Sequence, residues 1–136
     1  MNYLGVNWLA IVLAMVASMA LGAAWYMGLS RQWLSATGKT MEQIKRGAGG
    51  SAAFVWNAAM QLVMAYFLAL LTPLILGTMT LGNAVTVGIH LWLGFIITSI
   101  IINHRYQGQK WSLAVIDGGY LLAVMIVQGV VLGLLG

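Results

Sequence analysis

SAAFVWNAAMQLVMAYFLALLTPLIL, residues 51–76, is a run of 26 residues without a single Lys, Arg, Asp or Glu. At about 1.5 Å of rise per residue a helix of that length reaches about 39 Å, and the hydrocarbon core of a bilayer is about 30 Å thick. The run is continuous rather than alternating, which favours a helix over a barrel strand. A helix also pairs its backbone polar groups within the segment, as hydrocarbon demands.

Three more runs are long and apolar: Leu4 to Leu29, Leu81 to Asn103 and Trp111 to Leu135, none of which contains Lys or Arg, with Asp117 in the last as the single acid. Together the four predict one transmembrane domain over residues 1–136, an all-α integral membrane four-helix bundle. Composition agrees, with 62% hydrophobic and 6% charged residues, where a soluble domain carries about a quarter charged. A soluble chain of this length buries only about two thirds of its unfolded surface, so the remaining apolar area is expected to face lipid. Met1 to Tyr3 carry no basic side chain, as a secretory signal would, and the first run is expected to stay as a span.

The connections set the direction. Residues 30–50 hold Arg31, Lys39, Lys45 and Arg46 with Glu42, residues 104–110 hold Arg105 and Lys110, and the turn from Gly77 to Thr80 is uncharged. Short loops rich in Lys and Arg stay cytoplasmic, which predicts an N-out, C-out topology with the Gly77 turn outside. The same unanimity argues for copies inserted one way and leaves a parallel homodimer open. The formal charge of +4 then points to anionic lipid headgroups as partners rather than to nucleic acid. Tyr3 and Trp8 fall near the outer end, and Trp25, Tyr26, Trp33, Trp56, Tyr106 and Trp111 near the inner one, with Trp92 the exception. Thr40 and Gln43 read as a capping box that starts a short interfacial helix, Met41 and Ile44 toward lipid and Lys45 and Arg46 toward phosphates. Gly47 to Gly50 is expected to end it.

Inside a bilayer, helices associate through small residues and polar contacts. Ala10, Ala14, Ser18 and Gly22 recur at spacing four in the first span, as do Gly129 and Gly133 in the last, and both read as packing seams. Polar stripes stand on the other spans: Asn57, Gln61 and Ala65; Thr86, His90, Gly94 and Thr98; Asp117, Tyr120, Val124 and Gln128. These three are expected to face one another. Gln61 and His90 each lie about 15 Å from one end of their span, so a Gln61 to His90 hydrogen bond at the midplane is predicted. Asp117 is the only acid within a span and needs a partner or a proton. An ion pair with His104, Arg105 or Lys110 would supply the first, and a proton or cation site is the alternative.

The chemistry classes thin quickly. The absence of Cys removes disulfides, thiol nucleophiles and Cys-based metal sites. There is no Gly-rich phosphate loop, no zinc-type cluster and no carboxylate pair, so neither an enzyme nor a metal site is expected. His90 and His104 have the spacing of a haem-ligating pair, yet the chain holds no further His for the second axial positions, and no cofactor is expected. What remains is a polar intramembrane pocket of Asn57, Gln61, His90, Asn103, His104, Asp117 and Tyr120. It is read as part of a small-solute or ion transporter, or a channel-like protein, acting as a homo-oligomer. The alternative is a scaffold or accessory subunit of a larger membrane complex.

A set of landmarks also resembles a known family. Asn7-Trp8, Gly22, Trp25-Tyr26, Trp33, Trp92-Leu93-Gly94-Phe95, Asn103-His104 and Asp117-Gly118-Gly119-Tyr120, in that order over nearly the whole chain, are similar to the small bacterial membrane proteins grouped as domain of unknown function 1761. The resemblance implies a four-span protein of the bacterial inner membrane and brings no activity with it. One position departs: family members often have His after the tyrosine matched by Tyr120, and this chain has Leu121.

Overall fold

The computed structural model describes residues 2–47 and 51–136. It is built of helices, and among the described residues four are long and apolar enough to cross a membrane: Trp8–Gly28, Ser51–Leu76, Leu81–Tyr106 and Trp111–Leu135.

α1 (Trp8–Gly28) starts four residues later than its apolar run because Asn7 caps it, the Asn7 Oδ1 accepting from the Ala10 amide at 3.1 Å. The Asn7 Nδ2 also donates to the Leu135 carbonyl at 3.0 Å, which ties the start of the chain's first span to the end of its last. At Leu29 the backbone leaves helical geometry, and a second helix follows at once, α2 (Ser30–Thr37). The sequence reads this stretch as loop because it is polar, yet polarity does not oppose a helix outside the membrane. Gly38, at φ 69, ends it.

α3 (Met41–Gly47) carries the expected capping box: the Gln43 amide donates to Thr40 Oγ1 at 3.2 Å and the Thr40 amide to Gln43 Oε1 at 2.9 Å. The expected glycine break falls mostly on residues 48–50, outside the described residues. α4 (Ser51–Leu76) has the predicted bounds, and Gly77, at φ 90, turns the chain. The next span comprises α5 (Leu81–Leu91), one wide turn with i to i+5 bonds (Trp92–Ile96) and α6 (Ile97–Tyr106). Thr80 caps it. It outruns its apolar segment through His104, Arg105 and Tyr106, since backbone bonding continues after hydrophobicity stops. α7 (Trp111–Leu135) closes the chain, and Lys110 Nζ donates to the Ser35 carbonyl at 3.1 Å, joining the two basic connections at one end of the molecule.

α7 packs against both α1 and α5, and α4 against α1 and α5. These seams are made of small residues. Ala10, Ala14 and Ser18 of α1 are fully buried. A Cβ at Gly133 would lie 2.3 Å from the Leu81 Cα, so only glycine lets the two backbones come this close.

Candidate functional site

The first turns of α7 are gripped from two sides. Trp25 of α1 donates its indole N–H to the Ile116 carbonyl at 3.2 Å, and Trp92 donates to the Gly118 carbonyl at 2.8 Å. Each carbonyl has a second lone pair beyond its helical bond, so the helix survives both contacts. Gly118 lies under the Ile97 side chain, 2.6 Å from where its Cβ would be, and Gly119 lies under the Trp25 ring. Between them, the Tyr26 hydroxyl donates to Asp117 Oδ1 at 2.6 Å. A Cβ at Gly22 would come within 2.8 Å of the Tyr120 hydroxyl oxygen, so that glycine makes room for the tyrosine. Every position from Ile116 to Tyr120 thus has a specific neighbour.

Beside this grip opens a cleft of about 400 Å³ at the basic end, lined by Tyr26, Trp33, Ile100, His104, Asp117, Tyr120 and Leu121. Three of the lining groups are aromatic and meet edge to face, Tyr26 with Trp33 at 5.8 Å and with Tyr120 at 5.1 Å between ring centres. Asp117 has no ion pair among the described residues, where the single one is the exposed Glu42–Arg46 contact. The two nearest cations in sequence are engaged elsewhere. The Arg105 guanidinium sits 3.9 Å over the Trp111 ring and donates to the Gln109 carbonyl, and Lys110 reaches Ser35. His104 turns its Nδ1 inward, buried and without a hydrogen-bond partner.

Above the cleft the bundle centre is closed by a polar network. Gln61 Nε2 donates to the Tyr120 hydroxyl at 2.6 Å and to Asn57 Oδ1 at 3.3 Å, and Gln61 Oε1 accepts from Ser18 Oγ at 2.7 Å. Gln128 Nε2 donates to Ser18 Oγ and to the Gln61 carbonyl, both at 3.1 Å. Ser18, Gln61 and Gln128 are all buried, and Gln128 Oε1 is left without a donor. Three helices are joined at this one level.

Of the seven residues expected in a polar pocket, the structure joins five. His104, Asp117 and Tyr120 line the cleft, and Gln61 and Asn57 continue from Tyr120 along α4. His90 and Asn103 are exposed and belong to no part of it. The Gln61 to His90 bond is replaced by bonds from Gln61 to Ser18 and Tyr120. The reason is azimuth: α5 turns Ala84, Val87 and Gly88 to its neighbours, which sends Thr86 and His90 outward. His90 Nδ1 pairs with its own helix, 2.8 Å from the Thr86 carbonyl. Reading polar residues alone also misses Tyr26 and Trp33 as cleft walls and Ser18 as a hydrogen-bonding group. Depth gives the signal: Tyr26 and Asp117 both lie within about 10 Å of the basic ends of their helices by helical rise.

Four apolar helices long enough to cross a membrane, meeting along small residues around buried Ser18, Gln61 and Gln128, have the length and composition of a multi-span helical membrane protein. Its sequence matches the profile of the family described as protein of unknown function (DUF1761) over residues 9–133, and the chain belongs to that family. No curated protein and no solved structure matches it.

Proposed function

We propose that the protein is a small-solute transporter of the bacterial inner membrane, acting as a homo-oligomer, whose cleft takes up a cation from the cytoplasm. Both termini face outward, the basic loops lie against anionic headgroups of the inner leaflet, and α3 rests in that interface. One observation carries the reading: the only acid in any span stands in an open cleft, bonded to a neutral hydroxyl and to no cation among the described residues.

A carboxylate at membrane depth is costly unless something compensates it. A cationic solute supplies that charge, and the rings of Tyr26, Trp33 and Tyr120 add cation–π attraction, worth about 2 kcal/mol at a desolvated site. His104 offers a further polar contact. On the other side of the network, near the chain termini, a second cavity of about 240 Å³ is bordered by Asn7, Pro73, Met79 and Leu132. The packed Ser18, Gln61 and Gln128 layer lies between the two, so no continuous path joins them in this conformation. Transport requires the amides of that layer to exchange partners.

Flux into liposomes tests the proposal. Uptake of a monovalent organic cation by the wild type, lost in Asp117→Asn, supports it; absence of that flux would sink it. The buried centre favours a second reading, that of an accessory subunit whose polar residues only hold helices together. Stoichiometric recovery of a larger membrane complex, with no flux, would favour that reading instead.

A further inference from the structure

At the basic end of the molecule, α1, α2 and α7 leave an open groove of about 760 Å³ between them. Its two parts differ in chemistry. The floor is apolar, with Trp25 and Leu29 where α1 ends and Val115 of α7, while the rim carries Arg31 and Ser35 of α2 and Ser112 of α7. The change from floor to rim coincides with the ends of two spans, since the backbone leaves helical geometry at Leu29, just before Arg31, and Ser112 is in the first turn of α7. A surface that turns from apolar to cationic at the membrane's edge matches a phospholipid, whose tails stop where its phosphate begins.

The rim also holds donors that the protein leaves unused. Arg46 pairs with Glu42, and Arg105 lies over the Trp111 ring and donates to the Gln109 carbonyl. Arg31, the third arginine, has no hydrogen-bond or ion-pair partner among the described residues. The two acids of the chain cannot supply one in this arrangement, because Glu42 is held by Arg46 and Asp117 by Tyr26. The hydroxyls of Ser35 and Ser112 likewise have no partner among the described residues, whereas Thr72, Thr86 and Ser99 spend theirs on carbonyls of their own helices. Lys110 brings a second positive charge to the same edge. Its Nζ donates to the Ser35 carbonyl at 3.1 Å and has further N–H groups to offer.

We propose that this groove seats one anionic phospholipid, its phosphate on Arg31 and an acyl chain along Trp25, Leu29 and Val115. The planar guanidinium matches two phosphate oxygens at once, and the serine hydroxyls and Lys110 serve the remaining oxygens of the headgroup. A choline headgroup has the same phosphate but would set its own cation beside Arg31 and Lys110, so a net negative headgroup is preferred. The apolar floor adds position more than energy, because a tail leaves other tails to lie against it. The seat is separate from the Asp117 cleft and does not depend on the solute.

Native mass spectrometry of the purified protein, titrated with phosphatidylglycerol or with phosphatidylcholine of the same acyl chains, tests the seat. Arg31→Gln is compared with Lys39→Gln, which removes the same charge outside the groove. Both side chains are exposed, so both variants should fold. One phosphatidylglycerol should bind the wild type about tenfold tighter than phosphatidylcholine, a preference lost in Arg31→Gln and kept within about twofold in Lys39→Gln. Equal affinity for the two lipids, an equal loss in both variants, or no saturable one-to-one adduct would each overturn the proposal. Glycerol 3-phosphate, the headgroup chemistry without tails, should leave the bound lipid in place; displacement at comparable concentration would reveal a free-anion site and overturn it too. Flux does not enter this readout, so its failure and that of the transport reading are separate results.

Discussion

Tyr26 and Asp117, 91 positions apart, meet through a 2.6 Å hydrogen bond in which the phenol donates to the carboxylate. The bond fixes α1 to the first turns of α7 and holds one oxygen of the acid in place at the edge of the cleft. Tyr26→Phe removes the donor and leaves the acid without it, at an expected cost of about 1–2 kcal/mol, toward the upper range for intramembrane bonds because the bond is short. Unfolding in mixed micelles measures it. Combined with Asp117→Ala, which removes the acceptor, the losses should fall short of additive, and strict additivity would show the pair to be uncoupled.

The two buried glutamines should behave differently. Gln61 bonds to Ser18 and Tyr120 on the two neighbouring helices, whereas Gln128 already leaves its Oε1 without a donor. At about 0.6 kcal/mol per interhelical bond, Gln61→Leu is expected to cost about 1–2 kcal/mol. Gln128→Leu should cost less, about 0–1 kcal/mol, because it also removes an unsatisfied buried acceptor. The same unfolding assay ranks them, and a larger loss at Gln128 would contradict the bonding scheme.

Glycine replacements separate packing from local helix preference. A Cβ at Gly133 meets the Leu81 backbone, and one at Gly28 meets nothing within 4 Å. Gly133→Ala should therefore destabilise by about 1–3 kcal/mol by forcing α5 from α7. Gly28→Ala should be neutral or stabilise by up to about 1 kcal/mol.

Orientation is checked with membrane-impermeant thiol reagents on intact cells. Thr78→Cys is expected to label from outside, and Lys45→Cys only after the cells are opened. The reverse pattern would invert the topology and place the cleft on the outer side.

Much of the fold was legible because hydrophobic length alone selects the spans. Ser51–Leu76 and Trp111–Leu135 follow their apolar runs end to end. At the first span, length misleads, since Asn7 rather than hydrophobicity sets the start. The seven-residue pocket was legible in depth and not in direction. Gln61 does sit mid-span in a polar cluster, but helical rise says nothing about azimuth. Ala84 and Gly88, small enough to pack closely, decided which face of α5 turned inward and took His90 out. Asp117 was the clear signal of a site, while its partner was a tyrosine rather than one of the basic residues beside it in sequence. Arg105 and Lys110 were lost to Trp111 and Ser35, contacts that depend on how the loop folds at Gly108, where φ is 65.

Recognition of a cation by Asp117 is tested most directly by equilibrium binding of a labelled quaternary ammonium ion to the purified protein in nanodiscs, wild type beside Asp117→Asn. Asparagine keeps an oxygen that can accept from Tyr26, so both proteins should stay folded and monodisperse. Saturable binding to the wild type, weakened by about tenfold or more in the variant, is the expected result. Equal affinity in both, or no binding to either, would contradict it.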